Sequence, residues 1–502
     1  MSFKPSKYQT AIYDFITNGI GNAVIDAVAG SGKSTTIVNA LALIAKTFNI
    51  LFLAFNKAIV EELKIKIGAT DNTEISTLHS LGFKIVNAVI RTRVDNNKYR
   101  TYINNSVKYG GLKPDSDLSW EEMGNYKQNI SKLVDLARVN LCNDVDALVE
   151  IASKHSIYPL DNEAIKALDI VAWGSAQQNL GSIDFTDMIY LPNVLNIDSV
   201  IGRFQYDFVF IDECQDLNTA QRELFLKTIK PTGRFIAVGD PRQAIYGFAG
   251  ADVESFEMLK AIENTTSLPL SVCYRSDEAI INLAKSIVPQ IEARDDAPMG
   301  VIDREAKVED IQDGDMVLCR ITAPLVALCM LYISLGVKAY VKGRDIGQNL
   351  INMINKTKRR NLVDTIDRLT ADGVKIAEKI AKKTACTMSE AREDSQYTNH
   401  MDKVNAISVI AKDLKTTDAV INRIETIFKD DQKDGICLST VHKSKGLESD
   451  RVFIIREDKF LLPHCMRKAW MAEQEYNLVY VAYTRAKHYL GFVQDFQADQ
   501  MD

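Results

Sequence analysis

A short glycine-containing loop between an apolar run and a helical pattern constrains this chain more than any other feature. Residues 22–28 are mostly apolar, residues 29–33 form the loop, and a helix is predicted from Ser34. Gly30 and Gly32 permit backbone conformations that other residues rarely adopt, so backbone N–H groups can approach a phosphate closely. The pattern predicts an α/β fold with a phosphate-binding loop where a strand meets a helix.

The residues that follow the glycines give this loop its predicted chemistry. Lys33 can reach the terminal phosphates of a nucleotide, and the hydroxyl of Ser34 can ligate Mg²⁺. The positive end of the helix dipole favours the same anion. Ala27 stands where the usual pattern has glycine. An ordinary Gly-Ser turn before a helix is therefore the alternative interpretation.

The alternation of strand and helix recurs along the chain. Further strands are predicted at 50–54, 208–211, 235–238, 316–320, 337–341, 436–439 and 452–455, with a helix at 57–67. Strands joined by crossover helices predict buried parallel sheets. Two stretches, at about 91–180 and 346–431, are instead helical in pattern. We therefore expect α/β domains that each carry a helical insertion.

A second apolar strand ends in carboxylates. Residues 209–211 precede Asp212 and Glu213. If this strand lies beside the first one, Asp212 can reach the metal and Glu213 can polarise a water for attack on the γ-phosphate. A solvated acidic turn is the alternative. Arg275 and Arg485 are candidates for the positive charge that phosphoryl transfer requires, although either one alone is more typical of a surface arginine.

Composition excludes several classes of protein. The chain has 502 residues, of which 46% are hydrophobic and 25% charged, as in ordinary globular proteins. A net charge of −6 excludes a uniformly basic DNA-coating protein but permits a local basic groove. Eight scattered cysteines favour free thiols in a reducing compartment. The uncharged stretch 321–337 is interpreted as strand and helix, not as a membrane span, and we expect a soluble intracellular protein.

Taken together, the motifs resemble those of superfamily 1A DNA helicases of the UvrD/Rep/PcrA type. They occur in family order at Gln9 and at 29–35, 54–58, 77–80, 184–187, 212–216, 239–251, 273–276, 440–448 and 479–486. The Asp-Glu-x-Gln-Asp form at 212–216 distinguishes this branch from the oppositely directed 1B helicases. Cys273 stands where asparagine is usual. The variants at 55–57 and 239–243 are more similar to compact phage-type or F-box-helicase members.

The resemblance implies an α/β fold with two RecA-like parallel-sheet motor domains. Domain 1A is expected at 1–90 and 181–263, with the helical insertion 1B at 91–180. Domain 2A is expected at 264–345 and 432–502, with a reduced helical insertion 2B at 346–431. The small size of this second insertion argues against a large duplex clamp of the kind found in bigger family members.

The resemblance also implies the residues of the nucleotide site. ATP would be held by Gln9 (adenine), by Ala29, Gly30, Ser31, Gly32, Lys33, Ser34 and Thr35 (phosphates), by Tyr274 (adenine stacking) and by Glu448 (sugar). Mg²⁺ would be held by Ser34 and Asp212. Catalysis would involve Lys33, Asp212, Glu213, the γ-phosphate sensor Gln243, and the arginine fingers Arg275 and Arg485.

DNA contacts are implied at a separate set of residues. These are Phe55, Asn56, Thr77, His79, Tyr246, Phe248 and His442. Gln243 and the aromatic residues Tyr246 and Phe248 lie on one short segment. Loss of the γ-phosphate could therefore move a base-stacking platform directly, and base stacking contributes about 1–3 kcal/mol per base. Core positions for the two aromatic rings are the alternative.

The expected function is that of an ATP-dependent helicase moving 3′→5′ on single-stranded DNA and unwinding duplex, without sequence specificity. The alternative is a translocase that strips proteins or recombinase filaments from single strands. A nucleotide-switched DNA-binding module and a P-loop kinase fit the motifs less well. Expected partners are single-stranded DNA and its junctions with duplex, with single-strand-binding or recombination proteins possible. We expect no membrane association and a functional monomer. The resemblance implies a cytoplasmic location in a bacterial or phage-infected cell, with a nuclear location as the alternative. The basic residues at 356–360 are hypothesised to contact DNA phosphate, with a solvated helix face as the alternative.

Overall fold

The computed structural model describes residues 4–494 except 69–70, 113–119, 156, 158, 160, 246–253, 431, 433, 464 and 468. The chain divides into two compact units. The first comprises residues 1–28 and 32–271, and the second comprises residues 29–31 and 272–502.

Strands and helices alternate in the first unit, as the sequence predicts. Its strands are β1 (Asn22–Ala27), β2 (Ile50–Ala54), β3 (Thr73–Thr77), β4 (Arg93–Val94), β5 (Ser182–Ile183), β6 (Tyr206–Ile211), β7 (Ile229–Gly239) and β8 (Thr265–Leu270). Its α-helices are α1 (Lys7–Asn18), α2 (Lys33–Leu41), α3 (Lys57–Ile67), α4 (Leu78–Val89), α5 (Lys98–Lys108), α6 (Trp120–Val139), α7 (Val145–Lys154), α8 (Asp161–Ser175), α9 (Asp187–Val194), α10 (Asp198–Ile201), α11 (Thr219–Lys227) and α12 (Ser255–Lys260).

Six of these strands form one sheet in the order β3-β2-β6-β7-β1-β8, with parallel pairing throughout the described residues. The central strands are apolar on both faces: Val24, Leu51 and Phe52 are fully buried. Helices cover the two faces, as expected for a buried parallel sheet. The predicted α/β class is therefore confirmed for this unit.

The edge strand β8 shifts the predicted domain boundary. The sequence analysis ends the first domain at 263, whereas β8 pairs with β1 from Asn22↔Thr265 to Ala27↔Leu270. The first unit therefore extends to Ser271. Pro269 lies in this strand, and proline is tolerated there because β8 is at the edge of the sheet.

The sheet order also fixes where the polar loops emerge. The carboxyl ends of parallel strands meet at one edge of a sheet, where ligands of open α/β proteins bind. The strand ending at Asp212, β6, does not lie directly beside β1, because β7 lies between them. The loops after β1, β6 and β7 consequently share one edge, and β7 adds Asp240 to it.

The helical insertion of the first unit has a core of its own. Helices α5–α8 contribute most of an apolar cluster that also includes residues of α4 and α9. No described residue of the six-stranded sheet belongs to this cluster. The short strands β4 and β5 pair in parallel and join the two ends of the insertion.

The second unit repeats the alternation. Its strands are β9 (Val272–Cys273), β10 (Glu292–Ala293), β11 (Val301–Ala306), β12 (Met316–Cys319), β13 (Ala339–Lys342), β14 (Phe428–Lys429), β15 (Ile436–Thr440), β16 (Ser449–Ile455) and β17 (Ala486–Val493). Its α-helices are α13 (Glu278–Ala284), α14 (Thr322–Ser334), α15 (Arg344–Thr357), α16 (Leu362–Thr384), α17 (Met388–Arg392), α18 (Ser395–Ala411), α19 (Thr417–Ile427), α20 (Val441–Ser444) and α21 (Ala469–Tyr483).

The second unit has a seven-stranded parallel sheet in the order β11-β17-β16-β12-β15-β13-β14. Its helical insertion comprises α15–α19. Helices α15, α18 and α19 and the first part of α16 share one continuous apolar core with this sheet, whereas α17 packs with the later part of α16 in a small separate cluster. A polar contact adds to that packing. The Asp402 carboxylate on α18 accepts hydrogen bonds from the backbone N–H groups of Thr322 (2.9 Å) and Ala323 (2.9 Å), at the start of α14.

The uncharged stretch at 321–337 forms α14, between β12 and β13. This agrees with its interpretation as strand and helix. Of the helices that the structure describes, none combines the length and the apolarity needed to cross a membrane.

Candidate nucleotide-binding site

The phosphate loop has the backbone conformation that its glycines permit. Gly30 and Gly32 have φ angles of 66° and 76°, in the left-handed region that favours glycine. Gly32 is also the N-cap of α2, and no side chain caps that helix end. Helix α2 starts at Lys33, one residue earlier than predicted. Backbone N–H groups at such a helix start suit an anion.

Lys33 faces the acidic cluster that follows β6. Its Nζ lies 3.7 Å from Oε1 of Glu213. Glu213 has a φ of 53°, which is an uncommon conformation for a residue with a side chain. The Asp212 carboxylate supports this conformation, since its Oδ1 accepts a hydrogen bond of 2.9 Å from the Glu213 backbone N–H. Strained backbone of this kind is typical of functional sites.

The segment after β7 joins the same cluster. Gln243 is buried, and its Nε2 donates a 2.6 Å hydrogen bond to Oδ2 of Asp240. Burial raises the pKa of Asp240 to about 6, although nearby Lys33 acts in the opposite direction. The first unit therefore brings together four of the predicted catalytic residues: Lys33, Asp212, Glu213 and Gln243.

Gln9 is buried beside the start of α2. Its Oε1 accepts a hydrogen bond from the Ser6 backbone N–H (2.9 Å), and its Nε2 donates to Oγ1 of Thr36 (3.0 Å). The side chain therefore links α1 to the helix that follows the phosphate loop. Its role in reading adenine stays a prediction.

The second unit assembles the predicted basic residues around a carboxylate. Nε of Arg275 donates to Oε2 of Glu448 (2.7 Å), and its Nη1 donates to the carbonyl oxygen of Thr484 (3.1 Å). Burial would raise the pKa of Glu448, but Arg275 and Lys487 together lower it below its usual value. Arg485, only 1% exposed, follows Thr484 directly.

Arg485 is held by backbone carbonyl oxygens. Its Nε donates to Val481 (3.0 Å) and its Nη1 to Leu447 (2.9 Å). Since Leu447 precedes Glu448, the second unit brings Arg275, Arg485 and Glu448 into one neighbourhood. Their roles as arginine fingers and sugar contact stay predictions.

The first residues of the phosphate loop, 29–31, group with this second unit. The Ala29 N–H donates to the hydroxyl of Tyr480 (2.8 Å), and the Tyr274 N–H donates to the carbonyl oxygen of Gly30 (2.8 Å). A Cβ at Gly30 would lie 2.6 Å from Cβ of Arg275, so only glycine fits. The Tyr274 ring, predicted to stack on adenine, is 40% exposed.

Several predicted DNA contacts lie at the ends of the neighbouring strands β2 and β3. Phe55 follows β2 and is 47% exposed. Asn56 and Thr77 are the N-caps of α3 and α4, and each side chain accepts a hydrogen bond from a backbone N–H of its helix. Ala54 pairs with Thr77 in register, so the two motifs lie at the same sheet edge. Tyr246 and Phe248 lie outside the described residues.

An aromatic residue without an assigned role accompanies His79. The Phe185 ring stacks on the His79 ring, with centroids 3.9 Å apart, and Phe185 is 55% exposed. The sequence analysis places Phe185 in a motif but gives it no function. The signal in the sequence is that this large apolar residue lies between Asp184 and Asp187. Two carboxylates so close in sequence are unusual around a buried core position.

The two histidines of the predicted DNA surface have lowered pKa values. Burial lowers the pKa of His79 to about 4. Burial, with Arg320 and Lys443 nearby, lowers the pKa of His442 to about 3. Both rings are therefore neutral near pH 7, which suits stacking or hydrogen bonding but not charge pairing with phosphate.

Buried charges hold the loop that carries Phe185. Asp187, fully buried, accepts hydrogen bonds from Lys98 Nζ (3.0 Å), Arg138 Nη1 (3.0 Å) and the Tyr99 hydroxyl (2.7 Å). Arg138 also donates to Asp184 (2.7 Å). We call these five residues the charge cluster. It links α5 and α6 of the first insertion to the loop at 184–187.

Comparison with known protein families gives two matches. The UvrD/REP helicase N-terminal domain matches residues 9–262, and the UvrD-like helicase C-terminal domain matches residues 435–493. The N-terminal match covers half of the chain. Together with the two parallel sheets, these matches confirm the predicted architecture of two RecA-like domains.

Curated relatives agree with the family matches at low identity. ATP-dependent DNA helicase Rep of Buchnera aphidicola subsp. Baizongia pistaciae is 25% identical over 288 residues, covering 53% of this chain and 41% of the relative. Rep of Escherichia coli is 25% identical over 57% of this chain and 43% of its own length. PcrA of Leuconostoc citreum is 24% identical over 54% and 39%. The matches thus span less than half of the length of these relatives.

Proposed function

Because the chain belongs to the UvrD/Rep helicase family, we propose that it is a DNA-dependent ATPase that moves 3′→5′ on single-stranded DNA and unwinds duplex. The observation that carries the proposal is the cluster of Lys33 and Glu213 at the carboxyl edge of a parallel sheet, with Glu213 in a strained conformation. The relatives named above are helicases by name, which supports the same proposal.

In the proposed reaction, Glu213 accepts a proton from the attacking water. The water oxygen bonds to the γ-phosphorus as the bond from that phosphorus to the bridging oxygen of ADP breaks. Lys33 stabilises charge on the phosphate oxygens, and the guanidinium groups of Arg275 and Arg485 are proposed to do the same. Gln243 is proposed to sense whether the γ-phosphate is present.

Oxygen ligands for Mg²⁺ are available in this site. Magnesium prefers one or two carboxylates together with phosphate oxygens and water. Asp212 offers a nearly buried carboxylate next to Glu213, and Ser34 offers a hydroxyl at the start of α2. When bound, Mg²⁺ would neutralise charge on the β- and γ-phosphates. We propose these two residues as its ligands.

The domain assignments and the DNA surface are proposals of the same kind. We assign 91–180 to insertion 1B and 346–431 to insertion 2B. We propose that Phe55, Asn56, Thr77, His79, Tyr246, Phe248 and His442 contact single-stranded DNA. Stacking and backbone contact are sequence-tolerant, so no sequence preference is expected. A functional monomer, a cytoplasmic location and contacts with single-strand-binding or recombination proteins stay predictions.

The decisive experiment measures ATP hydrolysis with and without single-stranded DNA, followed by strand displacement from 3′-tailed and 5′-tailed duplexes. We expect DNA to stimulate hydrolysis and only the 3′-tailed duplex to be displaced efficiently. Stimulation without displacement would instead assign the chain to translocases that strip proteins from DNA. Preferred displacement of the 5′-tailed duplex would contradict the proposed polarity, and the absence of stimulation would contradict the proposal itself.

Variants connect that activity to the site. K33A and E213Q should each abolish turnover. K33A removes the charge that stabilises the phosphate oxygens, and E213Q removes the general base, whose loss costs about 10²–10⁴ in rate. E213Q should still bind ATP. K46A removes an exposed lysine outside the motifs and serves as the matched control. Turnover in E213Q close to that of the wild type would rule out Glu213 as the base.

A further inference from the structure

Gln215 uses both ends of its side chain within the catalytic cluster. It is 2% exposed. Its Nε2 donates a 2.5 Å hydrogen bond to Oε2 of Glu213, and its Oε1 accepts a 3.0 Å hydrogen bond from the Asp240 backbone N–H. One partner accepts and the other donates, and a carboxamide in this orientation satisfies both.

The end of β7 is shaped around this side chain. A Cβ at Gly239 would lie 2.4 Å from Oε1 of Gln215 and 2.8 Å from Sγ of Cys214. Real Cβ atoms do not approach other atoms so closely. The absence of a side chain at Gly239 therefore leaves the space in which Gln215 reaches the backbone N–H of Asp240.

One ion pair and three hydrogen bonds form a continuous path across three loops. Lys33 faces Oε1 of Glu213, while Gln215 holds Oε2 of the same carboxylate. Gln215 also holds the Asp240 N–H, and the Asp240 carboxylate holds Gln243. The path thus runs from the phosphate loop, through the proposed base, to the proposed γ-phosphate sensor.

Gln215 joins two loops of the candidate site through hydrogen bonds. Glu213 sits after β6, whereas Asp240 and Gln243 sit after β7. The Gln215 side chain is a direct hydrogen-bonded link between the Glu213 carboxylate and the Asp240 backbone. A displacement of the Asp240 backbone would therefore reach Glu213 through Gln215.

We propose that Gln215 is a positioning residue that orients the Glu213 carboxylate and ties its placement to the segment Asp240–Gln243, so that the rate of ATP hydrolysis responds to nucleic acid bound by that segment's domain. This inference rests on the proposed function, because it needs a DNA-dependent ATPase. The proposed role of Gln215 acts through its two hydrogen-bond partners, Glu213 and Asp240.

The test compares Q215L with a matched variant, Q221L. Gln221 is a nearby glutamine whose Oε1 accepts a local hydrogen bond from the Asn218 N–H at the start of α11. Q215L removes both hydrogen bonds at nearly constant side-chain volume. Q215E keeps the acceptor for Asp240 and replaces the donor by a group that repels Glu213. The measurements are kcat and KM for ATP, with and without single-stranded DNA, and the melting temperature.

We expect Q215L to lower the DNA-stimulated kcat about 100-fold, since a misplaced catalytic group can cost that much. The unstimulated kcat should fall less, about tenfold, so the stimulation ratio should shrink, while KM for ATP changes less than about twofold. Q221L should keep the wild-type ratio. A merely structural defect would lower both rates together and leave their ratio unchanged.

Two outcomes would overturn the inference. One is a wild-type stimulation ratio in folded Q215L. The other, decisive if Q215L fails to fold, is a wild-type kcat and ratio in Q215E, which retains the hydrogen bond to Asp240. Failure of the proposed function is a separate result: the wild-type chain would then show no response to DNA, while the unstimulated kcat of Q215L would still decide whether Gln215 positions Glu213.

Discussion

The two helical insertions are attached to their sheets by different physical means. The first, α5–α8, has an apolar core that is distinct from the sheet, and buried charges tie it to the loop at 184–187. Most of the second, α15–α19, shares one continuous apolar core with the seven-stranded sheet; only α17 and the later part of α16 form a small separate cluster. Ion pairs such as Arg368 with Asp372 lie at the surface of the second insertion.

Because of this difference, we expect the two insertions to be coupled to their domains in different ways. Apolar packing is non-directional, so the second insertion and its sheet should gain and lose order together. Charged hydrogen bonds require particular geometry, so the first insertion can transmit the position of one loop without sharing a core. Phe185 lies in that loop, beside His79. The first insertion is therefore suited to placing an aromatic surface, and the second to stabilising its domain.

The largest expected effect comes from breaking the charge cluster. D187A leaves Arg138 and Lys98 buried without their shared carboxylate, which should lower the free energy of unfolding of this region by about 3–5 kcal/mol. D135A is the matched control: Asp135 also accepts from Arg138 (2.6 Å), but its side chain is 58% exposed. Its loss should cost less than about 1 kcal/mol. Chemical denaturation gives both values, and equal losses would show that burial of the cluster is unimportant.

A second prediction compares how far the destabilising effect of a cavity extends from each insertion into its sheet. I407A in α18 and L133A in α6 each truncate a fully buried side chain and should each cost about 2–5 kcal/mol. Amide hydrogen exchange should speed up in β12 and β15 for I407A, because the core is shared. In L133A the faster exchange should stay within the first insertion. Faster exchange in β1 and β6 of L133A would contradict the separation of the two cores.

The third prediction concerns the aromatic pair beside the charge cluster. Burial holds the pKa of His79 at about 4, so native protein resists protonation that the unfolded chain accepts below about pH 6.5. Stability is therefore lost as pH falls from about 6.5 to 4. F185A uncovers the ring and should raise this pKa by at least about one unit, or about 1.4 kcal/mol. An NMR titration measures the pKa of His79 in the wild type and in F185A. An unchanged pKa would mean that Phe185 does not shield the ring.

The smallest effect on stability is expected at the exposed basic residues of the second insertion, Lys356, Lys358, Arg359 and Arg360. If they contact DNA phosphate, replacing all four by glutamine should flatten the salt dependence of DNA binding by about 0.7–0.9 in log–log slope per lost contact. A control variant replaces the dispersed exposed lysines 46, 285, 307 and 415, with the same change in net charge. An unchanged slope in the first variant would remove the hypothesis.

Local signals explain which elements the sequence could predict. β2 and α3 have their predicted bounds, because an apolar run is followed at once by the capping residue Asn56. β7 begins at Ile229, six residues before the predicted start, because its first half is polar and contains Gly233. No strand was predicted at β8, and its residues were placed in the second domain, because Pro269 and the threonines give no apolar run and the partner β1 is distant in sequence.

The residues of the candidate site also divide into those that the sequence could predict and those that it could not. Lys33, Asp212 and Glu213 follow apolar strands directly, so their shared edge could be predicted from parallel pairing. Gln215 and Asp240 could not, because their hydrogen bond joins residues 25 positions apart and depends on the order of β6 and β7 in the sheet. The orientation of the Gln215 carboxamide cannot be predicted from composition or periodicity.

The contact between Asp402 and the start of α14 has a practical consequence for anyone shortening this protein. Deleting the second insertion to obtain a minimal motor would remove the acceptor used by two main-chain amides of a helix outside the deleted segment. Ile321, the N-cap of that helix, offers no acceptor of its own. A trimmed version would therefore need serine or aspartate at position 321, which restores a local cap and recovers about 1 kcal/mol.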